Sequence, residues 1–111
     1  MAIAYKQNQV QGTAAVGTYA TLYDTSTAGR TAVISTLGVC NTASTAVTVR
    51  VGMTTTAGTP AASEWILYDR SVPANDTLLL TIGLAMQNAE YLRVSSSAST
   101  CAFFASVAEI S

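Results

Sequence analysis

The sequence predicts an all-β fold, an antiparallel β-sandwich of seven or eight strands with an extended N-terminal arm. Several segments alternate large apolar residues with small or polar ones at a period of two, as a strand with one buried face does. Turn-forming residues separate these segments at regular spacing, and no segment repeats its apolar residues with a helical period. A jelly roll is favoured over an immunoglobulin-like sandwich because the Cys-Trp-Cys spacing of the latter is missing.

The first 18 residues differ in composition from the rest of the chain. Met1–Thr18 is rich in Gln, Gly, Ala and Thr and shows little sustained alternation. A frayed terminus is one interpretation. The other is an arm that contacts a neighbour, because Ala2–Tyr5 is apolar enough to pair and 18 extended residues span roughly 60 Å. We therefore divide the chain into an arm, residues 1–18, and a β-sandwich domain, residues 19–111.

The stretch that organises the predicted fold runs from Thr31 to Met53, where we predict a β-hairpin. Val47, Val49 and Val51 alternate with polar or small residues, so one face of the second strand is apolar and must be covered. The first strand, from Thr31 to about Cys40, has a looser pattern that predicts partial cover on both faces. A polar connection of five residues joins the two strands, which is a common hairpin length.

Five further segments are predicted as strands, each followed by turn-forming residues or by the end of the chain. Gly83 interrupts one of them and indicates a bulge or a close approach by another backbone. Phe103 and Phe104 are adjacent, so they must lie on opposite faces of the last strand. The five segments are Tyr19–Asp24, Glu64–Val72, Asp76–Ala85, Glu90–Ser96 and Cys101–Ile110.

A ten-residue loop, Thr54–Ser63, separates two of the predicted strands. It contains Gly58 and Pro60 but no large apolar side chain, so we expect that nothing anchors its tip to the core. Loops of this kind are usually mobile or bound to a partner. Trp65 follows the loop directly and is the aromatic residue that we expect to contact a partner.

Charge and composition restrict the classes of partner. The chain has 111 residues, enough for one domain with its own core, and only 10% of them are charged, against about 25% in an average soluble domain. Five basic and six acidic residues are scattered singly, which disfavours nucleic acid, and no apolar run approaches the length of a membrane span. Two interpretations remain: a neutral soluble domain, or a subunit that packs against copies of itself or a larger assembly.

The residues offer little for catalysis or metal binding. Histidine is absent, which removes the commonest general base. Four carboxylates, Asp24, Asp69, Asp76 and Glu90, fall near strand ends, where solvated charges are the simplest interpretation. A calcium loop with the usual ligand spacing is also missing. We therefore expect a non-enzymatic protein without a cofactor or a metal ion.

The two cysteines, Cys40 and Cys101, fall inside predicted strands. A start without a signal-peptide core points to synthesis in a cytoplasm, where thiols stay reduced. We expect buried free thiols, and a disulfide between adjacent strands is the alternative.

Two stretches carry a resemblance to a known class of proteins. LYDTSTAGRTAVISTLGVCNTASTAVTVRVG contains a short strand, a Gly-containing turn and a strand ending in Cys-Asn, followed by a valine-alternating strand. ILYDRSVPANDTLLLTIGLAMQNAEYLRVSSSAST contains a strand ending in Pro-Ala-Asn, then an apolar strand and an Arg-Val strand. Together they resemble small β-sandwich virion proteins of tailed bacteriophages, of the capsid decoration or the head or tail fibre type. The resemblance covers about Leu22 to Thr100.

This resemblance implies a structural virion protein, made in the host cytoplasm, that binds the outer capsid as a decoration (cement) protein. The implied partners are further copies of the chain, as a homotrimer, and the major capsid protein or another virion protein. The alternatives are a tail, neck or fibre component, or a host-recognition module that binds carbohydrate through aromatic side chains. The residues that we expect to bind a partner are Ala2, Ile3, Ala4, Tyr5, Thr59, Pro60 and Trp65.

Overall fold

Two antiparallel sheets pack face to face in the computed structural model, which describes residues 3–110. One sheet has five strands in the order β1-β9-β3-β6, with β7 also paired to β3, and the other has four in the order β2-β8-β4-β5. The strands are β1 Ile3–Gln11, β2 Ala20–Asp24, β3 Thr31–Asn41, β4 Val47–Thr54, β5 Trp65–Val72, β6 Thr77–Leu80, β7 Leu84–Met86, β8 Tyr91–Ser96 and β9 Cys101–Ile110.

The strand order is that of a jelly roll when β6 and β7 are counted as one interrupted strand. Each sheet then has four strands, and every connection except the one between β4 and β5 crosses from one sheet to the other, which is the arrangement of an eight-stranded double Greek key. The predicted all-β sandwich is therefore confirmed. Within the described residues, no helix is long and apolar enough to cross a membrane.

The core fills the space between the sheets with alternate residues of the long strands. Val47, Val49 and Val51 are each at most 3% exposed, so the apolar face predicted for β4 is the buried one. Phe103 is fully buried opposite them, whereas Phe104 lies on the outer surface of the same strand. Burial of a Val or Phe side chain stabilises the fold by roughly 1.5–3 kcal/mol, which makes these rows the main source of stability.

The predicted hairpin between β3 and β4 is wrong. β3 pairs with β6, β7 and β9, and β4 pairs with β5 and β8, so the polar connection crosses from one sheet to the other. Asn41 holds this crossing, because its buried amide nitrogen lies 2.9 Å from the carbonyl oxygen of Thr45 and 3.2 Å from that of Val72. Its side-chain oxygen accepts a hydrogen bond from the backbone of Ala43.

β3 changes face in the middle, which explains its loose sequence pattern. The pairing with β9 shifts register between Ile34 and Thr36. Before the bulge Ala32 and Ile34 point into the core, and after it Leu37 and Val39 do so. A β-bulge adds one residue to one strand and reverses the alternation, so both parities of β3 contribute to the core.

The long strand predicted from Asp76 to Ala85 is interrupted. β6 ends at Leu80 and β7 begins at Leu84, and Gly83 between them has a φ of +55°. A side chain at Gly83 would meet no neighbouring atom, so the glycine serves the left-handed backbone and not a close approach.

The N-terminal segment is extended, but its described part lies inside the sandwich. Ile3–Gln11 is β1, which pairs with β9 at nine consecutive positions and closes one side of the five-stranded sheet. The boundary at residue 18 therefore does not separate a free arm from the sandwich. The apolar alternation did not predict β1, because its inward residues include Lys6 and Asn8 in place of apolar side chains.

Both thiols are free, and a disulfide between them is excluded by the register. Asn41 lies opposite Cys101 and Cys40 opposite Ala102, so Cys40 points outward while Cys101 points into the core. Burial raises the pKa of the Cys101 thiol.

Candidate functional site

The residues predicted to bind a partner lie on two different sheets. Ile3, Ala4 and Tyr5 begin β1 of the five-stranded sheet, and Ala2 lies outside the described residues. The Thr59–Pro60 pair and Trp65 belong to the β4–β5 connection and to β5, in the four-stranded sheet. The sandwich separates the two groups, so each outer face is a distinct candidate surface.

The outer face of the five-stranded sheet carries no charged side chain among the described residues. Register places alternate residues of β1, β9 and β3 side by side on it, together with Thr77 and Leu79 of β6 and Ala85 of β7. We call this surface the uncharged face. It consists of Ile3, Tyr5, Gln7, Gln9, Gln11, Thr31, Val33, Ser35, Gly38, Cys40, Thr77, Leu79, Ala85, Ala102, Phe104, Ser106, Ala108 and Ile110.

Large apolar side chains are exposed on the uncharged face. Tyr5 is 85% exposed, Leu79 60%, Ile3 53% and Val33 37%, and Ile82 lies exposed at its border between β6 and β7. Because β6 and β7 lie end to end along β3, the sheet is four strands wide. Four strands at ~4.8 Å and nine residues at ~3.3 Å give the face roughly 570 Å². Each partner buries ~800 Å² in a standard protein interface, so this face is large enough to supply most of one.

The uncharged face is flat near its middle because the Phe104 ring lies over Gly38. A Cβ atom at Gly38 would lie 2.1 Å from the Phe104 Cζ atom, so the ring covers the neighbouring strand. A shallow hollow of about 330 Å³ lies beside this ring, and a second of about 390 Å³ lies beside Tyr5 and Ser106. Both hollows follow the line between β1 and β9.

The inner side of β1 is held by a charged cluster around the buried Glu109 carboxylate. The Tyr23 hydroxyl donates a hydrogen bond of 2.6 Å to Glu109 Oε2, and Lys6 Nζ and Arg30 Nε lie 3.2 and 3.6 Å from Oε1. The hydrogen bond from Tyr23, and then the two cations, hold the pKa of Glu109 below its usual range. Burial, and then Glu109, raises the pKa of Tyr23. This cluster fixes β1 against β2 and β9.

The outer face of the four-stranded sheet carries an aromatic–arginine cluster of Tyr19, Arg50, Trp65, Tyr68 and Asp69. The Trp65 ring meets Tyr19 and Tyr68 edge-on, at centroid distances of 6.1 and 4.9 Å. The Arg50 guanidinium lies 4.3 Å from the Tyr68 centroid and 5.7 Å from that of Trp65. Trp65 is thus packed mainly against its own chain.

Arg50 is held in place by a bidentate ion pair. Its Nε and Nη2 atoms lie 2.6 and 3.3 Å from the two carboxylate oxygens of Asp69. Asp69 has a φ of +52° where β5 shifts register, and this irregularity directs the carboxylate toward Arg50. The hydrogen bonds from Arg50 hold the pKa of Asp69 below its usual range, and those to Asp69 raise the pKa of Arg50.

The loop after β4 is anchored, contrary to the expectation from its sequence. Pro60 is buried on Gly52, where an added Cβ atom would lie 2.5 Å from the proline Cγ. Arg93 Nε donates to the Gly58 carbonyl oxygen at 3.2 Å. Thr59 stays exposed, but Pro60 is available only to its own chain. A proline over a glycine can anchor a loop without any large apolar side chain, which composition alone did not indicate.

The acidic side chains near the strand ends are engaged by groups of their own chain. Within residues 3–110, no group of three or more Cys, Asp or Glu side chains could hold a metal ion. Asp69 is engaged by Arg50, and the Asp24 carboxylate accepts hydrogen bonds from Ser26. No protein-family model, curated protein or solved structure matches the chain. The surfaces themselves therefore carry the functional argument.

Proposed function

We propose that this chain is a non-enzymatic structural subunit that binds a larger assembly through the uncharged face. The observation that carries the proposal is the face itself, roughly 570 Å² without a charge among the described residues and with Tyr5, Ile3 and Leu79 more than half exposed. Large apolar side chains that are exposed together on one face, without charges to oppose association, are typical of interaction sites.

The resemblance to small virion proteins of tailed bacteriophages suggests which assembly this is. We propose a capsid decoration protein that is made in the host cytoplasm and functions on the virion. Its partners are other copies of the chain and the major capsid protein or another virion protein. Tail, neck or fibre attachment is the alternative location, and it would use the same face.

The test compares one substitution on the two outer faces of the sandwich. Ser106 is exposed in the middle of the uncharged face, and Ser71 is exposed on β5 of the other sheet. Ser106→Lys should place an unpaired charge in the contact and lower incorporation into virions at least tenfold, whereas Ser71→Lys should leave it unchanged. Quantitative mass spectrometry of purified virions measures both. Equal incorporation of the two variants would refute the role of this face.

The aromatic–arginine cluster supports a second candidate function, carbohydrate binding at a host-recognition surface. Tyr68 is 57% exposed beside Trp65, and an exposed aromatic ring can stack on a sugar. Against it, Arg50 already lies over the Tyr68 ring. A glycan array would test it: binding that disappears in Trp65→Ala and Tyr68→Ala supports the function, and an array without a binder counts against it.

A further inference from the structure

β1 differs from the other strands at the borders of the two sheets. Proteins protect such edges with short strands, bulges or breaks, because an open edge can pair with another chain. β2 has five residues and a register shift, β5 shifts register twice, and the β6–β7 edge is broken at Gly83. β1 has nine residues, contains no proline and pairs with β9 without a shift. It is the long, regular edge of the described sandwich.

The hydrogen bonds at the end of β1 show which backbone groups point to its open side. Gly12 N donates to the Cys101 carbonyl oxygen at 2.7 Å, directly after the last paired position of β1. Hydrogen-bonded and non-bonded pairs alternate along an antiparallel ladder, so even-numbered residues of β1 bond to β9. The odd-numbered residues therefore direct their N–H and C=O groups away from the sheet. They are Ile3, Tyr5, Gln7, Gln9 and Gln11.

We infer that β1 pairs with β1 of a second copy of this chain, antiparallel, around a twofold axis at Gln7. This register places Gln7 opposite Gln7 of the second copy, Tyr5 opposite its Gln9, and Ile3 opposite its Gln11. Every such pair joins two odd-numbered residues, so each can exchange both backbone hydrogen bonds. Five pairs give about ten hydrogen bonds, the number found in a typical protein interface.

The side chains of β1 are compatible with this pairing. Lys6 is the one charge on the strand, and the register places it opposite Asn8 of the second copy and not opposite a second lysine. Its ammonium group is already paired with Glu109 in its own chain. The remaining pairs join Gln, Tyr, Ile, Ala and Val, so no like charges face each other directly.

The dimer would join two five-stranded sheets into one of ten strands and bring both uncharged faces onto one side. A docking surface of roughly 570 Å² would thereby double. The inference extends the proposed function, but the dimer forms from the chain alone and can be tested without any particle. A face that fails to bind virions would leave the dimer intact.

Charge swaps at the twofold axis test the inference, with mass measured by light scattering over a range of concentrations. The wild-type chain should reach twice its monomer mass. Gln7→Lys and Gln7→Glu should each remain monomeric at concentrations where the wild type is dimeric, because like charges meet at the axis. An equimolar mixture of the two variants should regain the dimer.

Ser71→Lys is the matched control, because it adds the same charge at an exposed strand position of the other sheet, away from β1. It should dimerise like the wild type, and circular dichroism should show that all three variants keep the β-fold. A wild-type chain that stays monomeric, a mass of three chains, a dimeric Gln7→Lys, or a mixture that stays monomeric would each overturn the inference.

Discussion

The two outer faces of this sandwich differ in whether their large side chains have partners within the chain. On the four-stranded sheet, Arg50 is engaged by Asp69 and two aromatic rings, and Arg93 binds the Thr21 hydroxyl at 2.6 Å and the Gly58 carbonyl oxygen. On the five-stranded sheet, Leu79 and Tyr5 extend into solvent without a comparable partner in the described chain. A surface whose groups are satisfied internally has little to gain from a partner, so adhesion is expected on the other one.

The same contrast appears in how each face is tied to the rest of the molecule. The uncharged face is supported from within by the charged cluster around the buried Glu109 carboxylate, while the four-stranded sheet is covered from outside by the loop that carries Pro60. The Glu109 cluster lies inside the sandwich and leaves the uncharged face accessible to partners, whereas the Pro60 loop occupies part of the outer face of the four-stranded sheet. Matched substitutions on the two sheets can therefore test the comparison.

The largest difference in the free energy of unfolding is expected between Tyr23→Phe and Tyr19→Phe, which each remove one hydroxyl. Tyr23→Phe removes the hydroxyl that donates to the buried Glu109 carboxylate, and a hydrogen bond to a charged group contributes roughly 1.5–3 kcal/mol. Tyr19→Phe removes a hydroxyl 3.4 Å from Arg50 at the surface, which should change the free energy of unfolding by less than about 1 kcal/mol. Urea denaturation of both variants measures this, and equal losses would contradict the contrast.

A second pair compares the two covered glycines. Gly52→Ala should destabilise the fold by about 1–3 kcal/mol, because Pro60 and the carbonyl oxygen of Glu64 lie within 3.3 Å of the added carbon and cannot move without the loop. Gly38→Ala meets only the far end of the Phe104 ring, which can swing toward solvent. Gly38→Ala should therefore destabilise the fold less than Gly52→Ala does. The melting temperatures of the two variants measure this difference. The reverse order would mean that the ring is held more firmly than the loop.

The local structure of this chain was largely predictable, because it follows from alternation and turn chemistry. Val47, Val49 and Val51 face the core as expected, and most strand bounds lie within a residue or two of the predicted ones. Pairing between strands was not predictable in the same way. A polar connection of five residues fits a hairpin and a crossing between sheets equally well, and the buried Asn41 side chain that favours the crossing gives no periodic signal.

The candidate site was predictable only in fragments. Ile3 and Tyr5 were selected as apolar residues near the terminus, but the uncharged face exists because register aligns them with residues about 100 positions later, such as Ile110 and Ala108. The bulge near Thr36 adds to the difficulty, because it reverses which residues of β3 face outward. Absence of charge on a face becomes visible only when the pairing of every strand is known.

The pH dependence of stability should also differ between Glu109, which supports the five-stranded sheet, and Asp69 on the four-stranded sheet. The folded-state pKa values of Glu109 and Asp69 both lie below their ordinary ranges, so each carboxylate stabilises the fold above its unfolded pKa of about 4 and loses that contribution as the pH falls. Glu109 is nearly buried and Asp69 is exposed to water. Tyr23→Phe should therefore flatten the fall in stability between about pH 5 and pH 3 more than Asp69→Asn does. Denaturation at several pH values measures the slopes, and a larger effect of Asp69→Asn would contradict this.

The smallest effect on stability is expected where the proposed effect on binding is largest. Leu79 is 60% exposed on the uncharged face, so Leu79→Lys should change the unfolding free energy by about 0.5 kcal/mol or less. Tyr68 is 57% exposed on the other face, but Tyr68→Lys should cost about 0.5–1.5 kcal/mol, because it removes the contact with Trp65 and places a second cation beside Arg50. Retention on a hydrophobic-interaction column should nevertheless fall more for Leu79→Lys, because Arg50 already covers part of Tyr68. Equal retention would mean that the two faces expose equivalent apolar surface. The proposal assigns partner binding to the five-stranded sheet because apolar side chains remain exposed there, so that outcome would remove the reason for this assignment.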